Sequence, residues 1–301
     1  MSLDGVHLIR KAVIPAAGLG TRLLPTTKET PKEMLPIFAE LGGGRMCLKP
    51  LLQAIFEQLY DVGIREFYFV VGRGKRAIED HFTPDSGFLD LLKKKGKDEA
   101  IDALEALYDK VRGSTIVFVN QPKPAGFGDA VLKAKPLIEE GFLVYAGDTY
   151  IISPENDYLS RLTTAYEAKK AQAAFVVKEV ENPKRFGVIE VKGQNGGVFE
   201  VLRAVEKPER PPTNLAIMPV YVFDPVIFEA LEEVKPGREG ELQLTDGIQR
   251  LIESGRDVVA VKLSPHDVWL DVGTPKAFWD ALRLSYQHCT LNSRWGTVNY
   301  P

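Results

Sequence analysis

The stretch from Lys11 to Ile37, KAVIPAAGLGTRLLPTTKETPKEMLPI, constrains the fold more than any other part of the chain. An apolar run, Ala12 to Ile14, enters a turn of small residues, Ala16-Ala17-Gly18-Leu19-Gly20, with Thr21 and Arg22 directly behind it. Small residues let a ligand lie against the backbone and permit positive φ. Their bare N–H groups then face that ligand, which suits an anion. Arg22, Lys28 and Lys32 follow closely enough to neutralise a polyphosphate. The segment reads as a first strand, Lys11–Pro15, with a triphosphate clamp at its C-terminal end. It is not a Walker A loop, because it lacks the closing Gly-Lys-Ser/Thr, and it is not the dinucleotide fingerprint of a dehydrogenase, whose third Gly is here Leu23. Taken alone, it also fits an ordinary strand–turn connection with a solvated basic loop.

Beyond the clamp, strand-like and helix-like stretches alternate. Phe67–Val71 is a continuous apolar run, hence a buried strand, and Ile116–Val119 and Phe142–Ala146 are further strands. Leu48–Tyr60 has apolar residues at helical spacing with Gly63 as its stop, and Arg76–Phe82 and Gly128–Leu137 also read as helices. This alternation predicts an α/β fold: a Rossmann-like, mainly parallel central sheet flanked by helices. The charged stretch between Thr83 and Gly113 reads as a solvated helical excursion rather than a basic patch.

The second half differs. Ala173–Lys178, Phe186–Val191, Val198–Val205 and Met218–Phe223 read as strands, with a hairpin turn at Gln194-Asn195-Gly196-Gly197. Pro225–Glu232 reads as a helix, Val258–Lys262 precedes Asp267–Asp271, and the tail from Thr274 to about Leu291 is helical in pattern. The expectation is a single domain over 7–301. It comprises a first half of about 9–150, an antiparallel addition within about 151–272 and a helical tail of about 273–301.

With 301 residues, a net charge of −3 and a pI near 5.9, the chain offers no basic surface for nucleic acid or membrane. No apolar run is long enough to span a bilayer, and the N-terminus has no secretory pattern. Cys47 and Cys289 make neither a disulfide framework nor a zinc site, and His7, His81, His266 and His288 show no metal-ligand spacing. A cytoplasmic location fits.

Several polar residues fall where ligands are held. Gln121 ends a strand, and its carboxamide presents a donor and an acceptor together, matching the imide edge of uracil or thymine. Gly126 follows in a loop whose backbone can complete that contact. Asp148 and Asp271 close strands at the ligand-bearing edge of such a sheet. Each alone suits a helix cap or a turn. Lys207 precedes Pro208, which restrains its direction.

In order, GLGTR, PKEML, Gln121 to Gly126, Gly147-Asp148, Phe186-Gly187, Glu206-Lys207-Pro208, GELQLTD (Gly240–Asp246) and Asp271 resemble the sugar-1-phosphate nucleotidyltransferases over roughly residues 9–285. KETPKEML (Lys28–Leu35), and IEDHF (Ile78–Phe82) with the excursion after it, look most like the bacterial-type UTP–glucose-1-phosphate uridylyltransferases. The resemblance implies formation of UDP-glucose and pyrophosphate from UTP and glucose 1-phosphate, with Mg²⁺ held by Asp148 and Asp271. It implies catalytic roles for Arg22, Lys32 and Lys207, and nucleotide contacts from Ala16, Ala17, Gly18, Gly20, Thr21, Gln121 and Gly126. Sugar-phosphate contacts would come from Gly187, Glu206, Lys207 and Asn214. Relatives are typically homodimers or homotetramers, and Tyr286, Trp295 and Tyr300 in the tail suit either an interface or packing on their own subunit.

Two segments depart from the uridylyltransferase pattern. The strand end reads AGD where a Pro more often precedes the Asp, and WLDVGTPKAF lacks the usual Cys and KLGY. Both look more like the thymidylyltransferases, so a glucose-1-phosphate thymidylyltransferase using dTTP is the alternative. A non-catalytic nucleotide or sugar-phosphate sensor would be expected to lose Arg22, Lys32, Asp148 or Lys207; all are present.

Overall fold

The computed structural model describes residues 9–41, 44–195, 197–237 and 240–292. His7, Gly196, Trp295 and Tyr300 lie outside them. The strands are β1 (Lys11–Pro15), β2 (Pro36–Leu41), β3 (Arg45–Pro50), β4 (Glu66–Val71), β5 (Thr115–Asn120), β6 (Phe142–Tyr145), β7 (Thr149–Ile152), β8 (Ala173–Glu179), β9 (Gly187–Asn195), β10 (Val198–Glu206), β11 (Leu215–Phe223), β12 (Val258–Lys262) and β13 (Val268–Asp271). The helices are α1 (Leu51–Asp61), α2 (Arg76–His81), α3 (Ser86–Lys94), α4 (Asp98–Arg112), α5 (Phe127–Leu132), α6 (Asp157–Lys169), α7 (Val226–Glu233), α8 (Leu244–Glu253) and α9 (Pro275–Asn292).

A nine-stranded sheet runs β5-β4-β1-β6-β11-β8-β12-β10-β9. The β5, β4, β1 and β6 strands are parallel, as the alternation predicts. Between β6 and β8, β11 reverses direction, and the hairpin of β9 and β10 supplies the antiparallel addition. Successive residues of a strand face opposite sides of a sheet. Phe67 and Phe69 enter one core with Phe56 and Tyr145, while Tyr68 and Val70 enter the other with Phe142, Phe175 and Phe228. Both faces are covered, so the strand must be apolar throughout, which is why its sequence is a continuous run. Among the described residues, no helix is long and apolar enough to cross a membrane.

The structure revises some boundaries. The expected helix Leu48–Tyr60 begins only at Leu51, and Leu48 belongs to β3, which pairs with β2. Pro50 explains the break: the residue before a proline is driven out of the helical region. The helix expected over Gly128–Leu137 ends at Leu132, with a short 3-10 turn at Lys135–Leu137. The small ladder of β7 and β13 was not foreseen, and it matters for the site because it sets Asp271 opposite Thr149, one residue beyond Asp148.

Candidate active site

A cleft of about 600 Å³ opens at the ends of β6 and β13 and is walled by β9, β10, β11 and the start of α9. Of the residues expected at the site, Arg22, Asp148, Gly187, Glu206, Lys207 and Asp271 line it together. They come from both halves of the chain.

The turn after β1 forms the phosphate side. Ala16 donates its N–H to the Val70 carbonyl (2.8 Å), so the open part of the turn begins beyond it. Gly20 has φ of 64°, and Thr27 donates to its carbonyl at 2.7 Å, folding the turn back on itself. Thr21 and Arg22 begin a 3-10 turn that directs Arg22 into the cleft. Lys32 crosses the turn: a Cβ at Gly18 would lie 3.5 Å from its Nζ.

The Lys32 ammonium is ion-paired with Asp148. Burial opposes the charge on both, yet each holds the other ionised: the Asp148 carboxyl is kept below the usual carboxylate range, and the Lys32 ammonium is held above its ordinary value. Asp271 behaves oppositely. Burial, and then the negative charge of Asp148, push its carboxyl up against the pull of the Gly273 N–H, Lys32 and Arg22. A Cβ at Gly273 would meet Asp271 Oδ2 at 3.1 Å and Arg22 Nη2 at 3.2 Å, so glycine lets these side chains close over the backbone. Two carboxylates that repel one another across a cleft are relieved by a cation, and this donor set fits a hard divalent ion. No group of three or more His, Cys, Asp and Glu suited to a metal occurs among the described residues. Phosphate oxygens and water would therefore have to complete the coordination.

On the opposite wall, Glu206 and Lys207 end β10, with Lys207 Nζ 3.2 Å from Glu206 Oε1. Lys207 has φ of 40°, a left-handed conformation that costs a non-glycine residue about 1 kcal/mol or more. Its N–H donates to the Phe186 carbonyl at 3.0 Å, which holds it there. Thr245, in α8, donates to Glu206 Oε2 at 2.7 Å. A Cβ at Gly187 would stand 2.7 Å from Thr245 Oγ1 and 3.1 Å from Glu206 Oε2, so only glycine admits this pair. Thr245 lies within GELQLTD, but nothing in that string marks it as the partner of Glu206. Phe186 and Trp269 meet edge to face at 5.7 Å on the cleft wall. Asn214 does not join them: it is exposed ahead of β11 and its carbonyl accepts from the Val180 N–H.

Gln121 sits buried at the end of β5, away from the cleft lining. Its Nε2 donates to the Gly126 carbonyl (3.2 Å) and to Asp129 Oδ2 (2.8 Å), which leaves Oε1 as the acceptor. Gly126, with φ of 107°, is required by the chain's own packing: a Cβ would lie 2.5 Å from the Leu242 carbonyl oxygen.

Strand ends that bring Arg22, Lys207 and the carboxylates Asp148, Glu206 and Asp271 to one cleft beside a small-residue turn fit a nucleotidyl-transferring protein. Residues 11–287 match the Nucleotidyl transferase family, and the chain belongs to it. Members of this family generally work with a divalent metal. The chain is similar to the UTP–glucose-1-phosphate uridylyltransferase of Bacillus subtilis (strain 168), 41% identical over 253 residues, 82% of each protein. It is also similar to a crystal structure of UDP-glucose pyrophosphorylase complexed with UDP-glucose (TM-score 0.78, 32% identity, covering 93% of this chain and 99% of that one). A UTP-bound UGPase from Acinetobacter baumannii superposes with a TM-score of 0.77 at 27% identity, over 94% of this chain and 99% of that one.

Proposed function

We propose that the protein is a UTP–glucose-1-phosphate uridylyltransferase, joining glucose 1-phosphate to the uridylyl group of UTP with release of pyrophosphate. The observation that carries this reading is the single cleft in which Arg22, Asp148 and Asp271 face Glu206 and Lys207. A phosphate oxygen of the sugar attacks the nucleotide α-phosphorus in line. The new P–O bond forms as the α–β anhydride bond breaks, and its electron pair leaves on pyrophosphate.

Two anions must meet, so neutralisation and positioning dominate. Lys207 holds the sugar phosphate, and Arg22 and Lys32 take the charge of the departing pyrophosphate. Glu206, fixed through Oε2 by Thr245, accepts from a sugar hydroxyl with Oε1 once Lys207 turns to phosphate. Ala17, Gly18, Gly20 and Thr21 would lie along the triphosphate, and Gln121, beside that turn rather than on the cleft wall, would accept the imide N–H of the base through Oε1. No general base is needed, because a phosphate monoester is already ionised near neutral pH. Mg²⁺, held by Asp148 and Asp271, supplies neutralisation of the phosphate charge.

The same proposal treats 7–301 as one working unit, which the sheet running through both halves supports. A cytoplasmic setting, expected from the composition, and a homodimer or homotetramer, expected from the resemblance, belong to it as well. ³¹P NMR of the protein with UTP, glucose 1-phosphate and Mg²⁺ tests it: UDP-glucose and pyrophosphate should appear in equal amounts, and stop with a chelator. Asp148→Asn with Asp271→Asn should abolish the signal; full activity of that variant at ordinary Mg²⁺ would refute the metal site.

A further inference from the structure

Glu33 and Lys75 are the most deeply buried ion pair among the described residues. Their side chains are 1% and 7% exposed, and Lys75 Nζ lies 2.7 Å from Glu33 Oε2. Neither lines the cleft, and the reaction described above uses neither. Stability alone does not account for them. Removing two charges from water costs several kcal/mol per ion, and an apolar pair of equal volume is often as stable or more so.

Their surroundings suggest what they do. Glu33 occupies the 3-10 turn Lys32–Met34, immediately after the lysine that is ion-paired with Asp148. Glu33 also packs against Gly147, the residue before the other member of that pair, since a Cβ there would lie 3.2 Å from Glu33 Cγ. The turn is short, closed by Met34 N–H to the Pro31 carbonyl (2.9 Å) and Leu35 N–H to the Lys32 carbonyl (3.1 Å), so it has few bonds of its own to set its direction. Lys75 comes from the loop after β4. In that loop a Cβ at Gly72 would come 3.6 Å from Ala17 Cβ and 3.4 Å from the Gln121 carbonyl oxygen. The pair therefore ties the turn bearing Lys32 to the loop behind the phosphate turn and Gln121. An apolar contact would fix the depth of the turn; a charged hydrogen bond also fixes its direction.

We propose that Lys75 and Glu33 are positioning residues, a buried pair that aims Lys32 at Asp148 and at the pyrophosphate leaving the nucleotide. The inference rests on the role given to Lys32 above. The test is the double variant Glu33→Leu/Lys75→Met, which removes both charges at similar volume and leaves neither ion buried alone. Turnover and KM are measured with and without Lys32→Ala, alongside thermal unfolding. In the wild-type background kcat should fall roughly 10- to 100-fold. KM for glucose 1-phosphate should change by less than about threefold, because that substrate is held elsewhere. In the Lys32→Ala background the double variant should lower kcat by no more than about twofold, since its effect passes through Lys32. Glu33→Gln, which keeps shape and an acceptor for Lys75, is the second arm and should show the same non-additivity, decided on that variant alone if the double variant does not fold.

If Lys32→Ala is slow and the charge-removed variants retain wild-type kcat, the inference alone is overturned. Equal fold-losses in both backgrounds would overturn it as well, by showing a merely structural role. Wild-type kcat in Lys32→Ala itself would overturn both the inference and the role of Lys32 in the proposed function.

Discussion

At the scale of single residues, Lys207 shows most clearly how this chain gives up local comfort at its cleft. Its left-handed backbone is held by one hydrogen bond to Phe186, and its ammonium rests against Glu206. That geometry is difficult to read from RAVEKP, where only the following proline hints at restraint. Lys207→Met keeps the length of the side chain and removes the charge. The account expects kcat to fall by about 10²–10³, the usual loss for a charge-stabilising donor, with the unfolding temperature nearly unchanged. Near wild-type turnover in that variant would show that the sugar phosphate is held by another group. The carboxylates teach the converse lesson. Asp148 and Asp271 were legible as strand-end residues, but the opposite displacement of their carboxyl groups follows from burial and from Lys32 siding with Asp148.

At the scale of elements, legibility tracks how much of a segment's pattern is decided locally. β1 is observed with the bounds its apolar run suggests, and the charged excursion folds as α3 and α4. β11 is as apolar as a parallel strand, so its sequence carries no sign that it runs antiparallel through the middle of the sheet. The β7–β13 ladder is short and arises only when distant segments meet. Helix α8 is not among the expected elements, although Leu244, Ile248 and Leu251 fall at helical spacing, and the hydrogen bond of its Thr245 depends on Glu206 arriving from β10. Gly126 was read as a ligand contact, and the structure adds a packing need, the close approach of Leu242. The contact of α8 with β9 and β10 is testable at Gly187. Gly187→Ala places a methyl 2.7 Å from Thr245 Oγ1, so Thr245 must move and Glu206 loses its hydrogen bond. KM for glucose 1-phosphate should rise by roughly tenfold, equivalent to about 1.4 kcal/mol, while KM for UTP stays within twofold or so. Thr245→Val should reproduce that split and Thr245→Ser should relieve it; unaltered kinetics in Thr245→Val would remove Thr245 from the account.

At the scale of the whole molecule, the cleft depends on a core whose polar contacts are few and specific. His81 at the end of α2 lies 2.9 Å from Gln53 Oε1, which joins α2 to α1, and Gln53 in turn donates to Glu57 (2.7 Å). Burial lowers the His81 imidazole below its ordinary 6.5, only partly opposed by Glu57. The unfolded chain then binds a proton before the folded one does, so stability rises with pH across that interval. It is fully present above pH 6.5 and is lost as pH falls from there through the folded value. The unfolding temperature should drop over this range, and His81→Gln should flatten the drop; an unchanged slope would place the effect elsewhere.

The reach from residue to molecule converges on which nucleotide the cleft accepts. In the proposed function Gln121, whose Nε2 is taken by Gly126 and Asp129, offers Oε1 to an edge that uracil and thymine share, while the relatives named above and the PKEML turn point to the uridine nucleotide. Pyrophosphate release from glucose 1-phosphate with Mg²⁺, run with UTP and dTTP side by side, tests the central claim most directly. The account predicts a kcat/KM for UTP well above that for dTTP. Faster release with dTTP would contradict it and make the AGD and WLDVGT segments the better guide to the substrate.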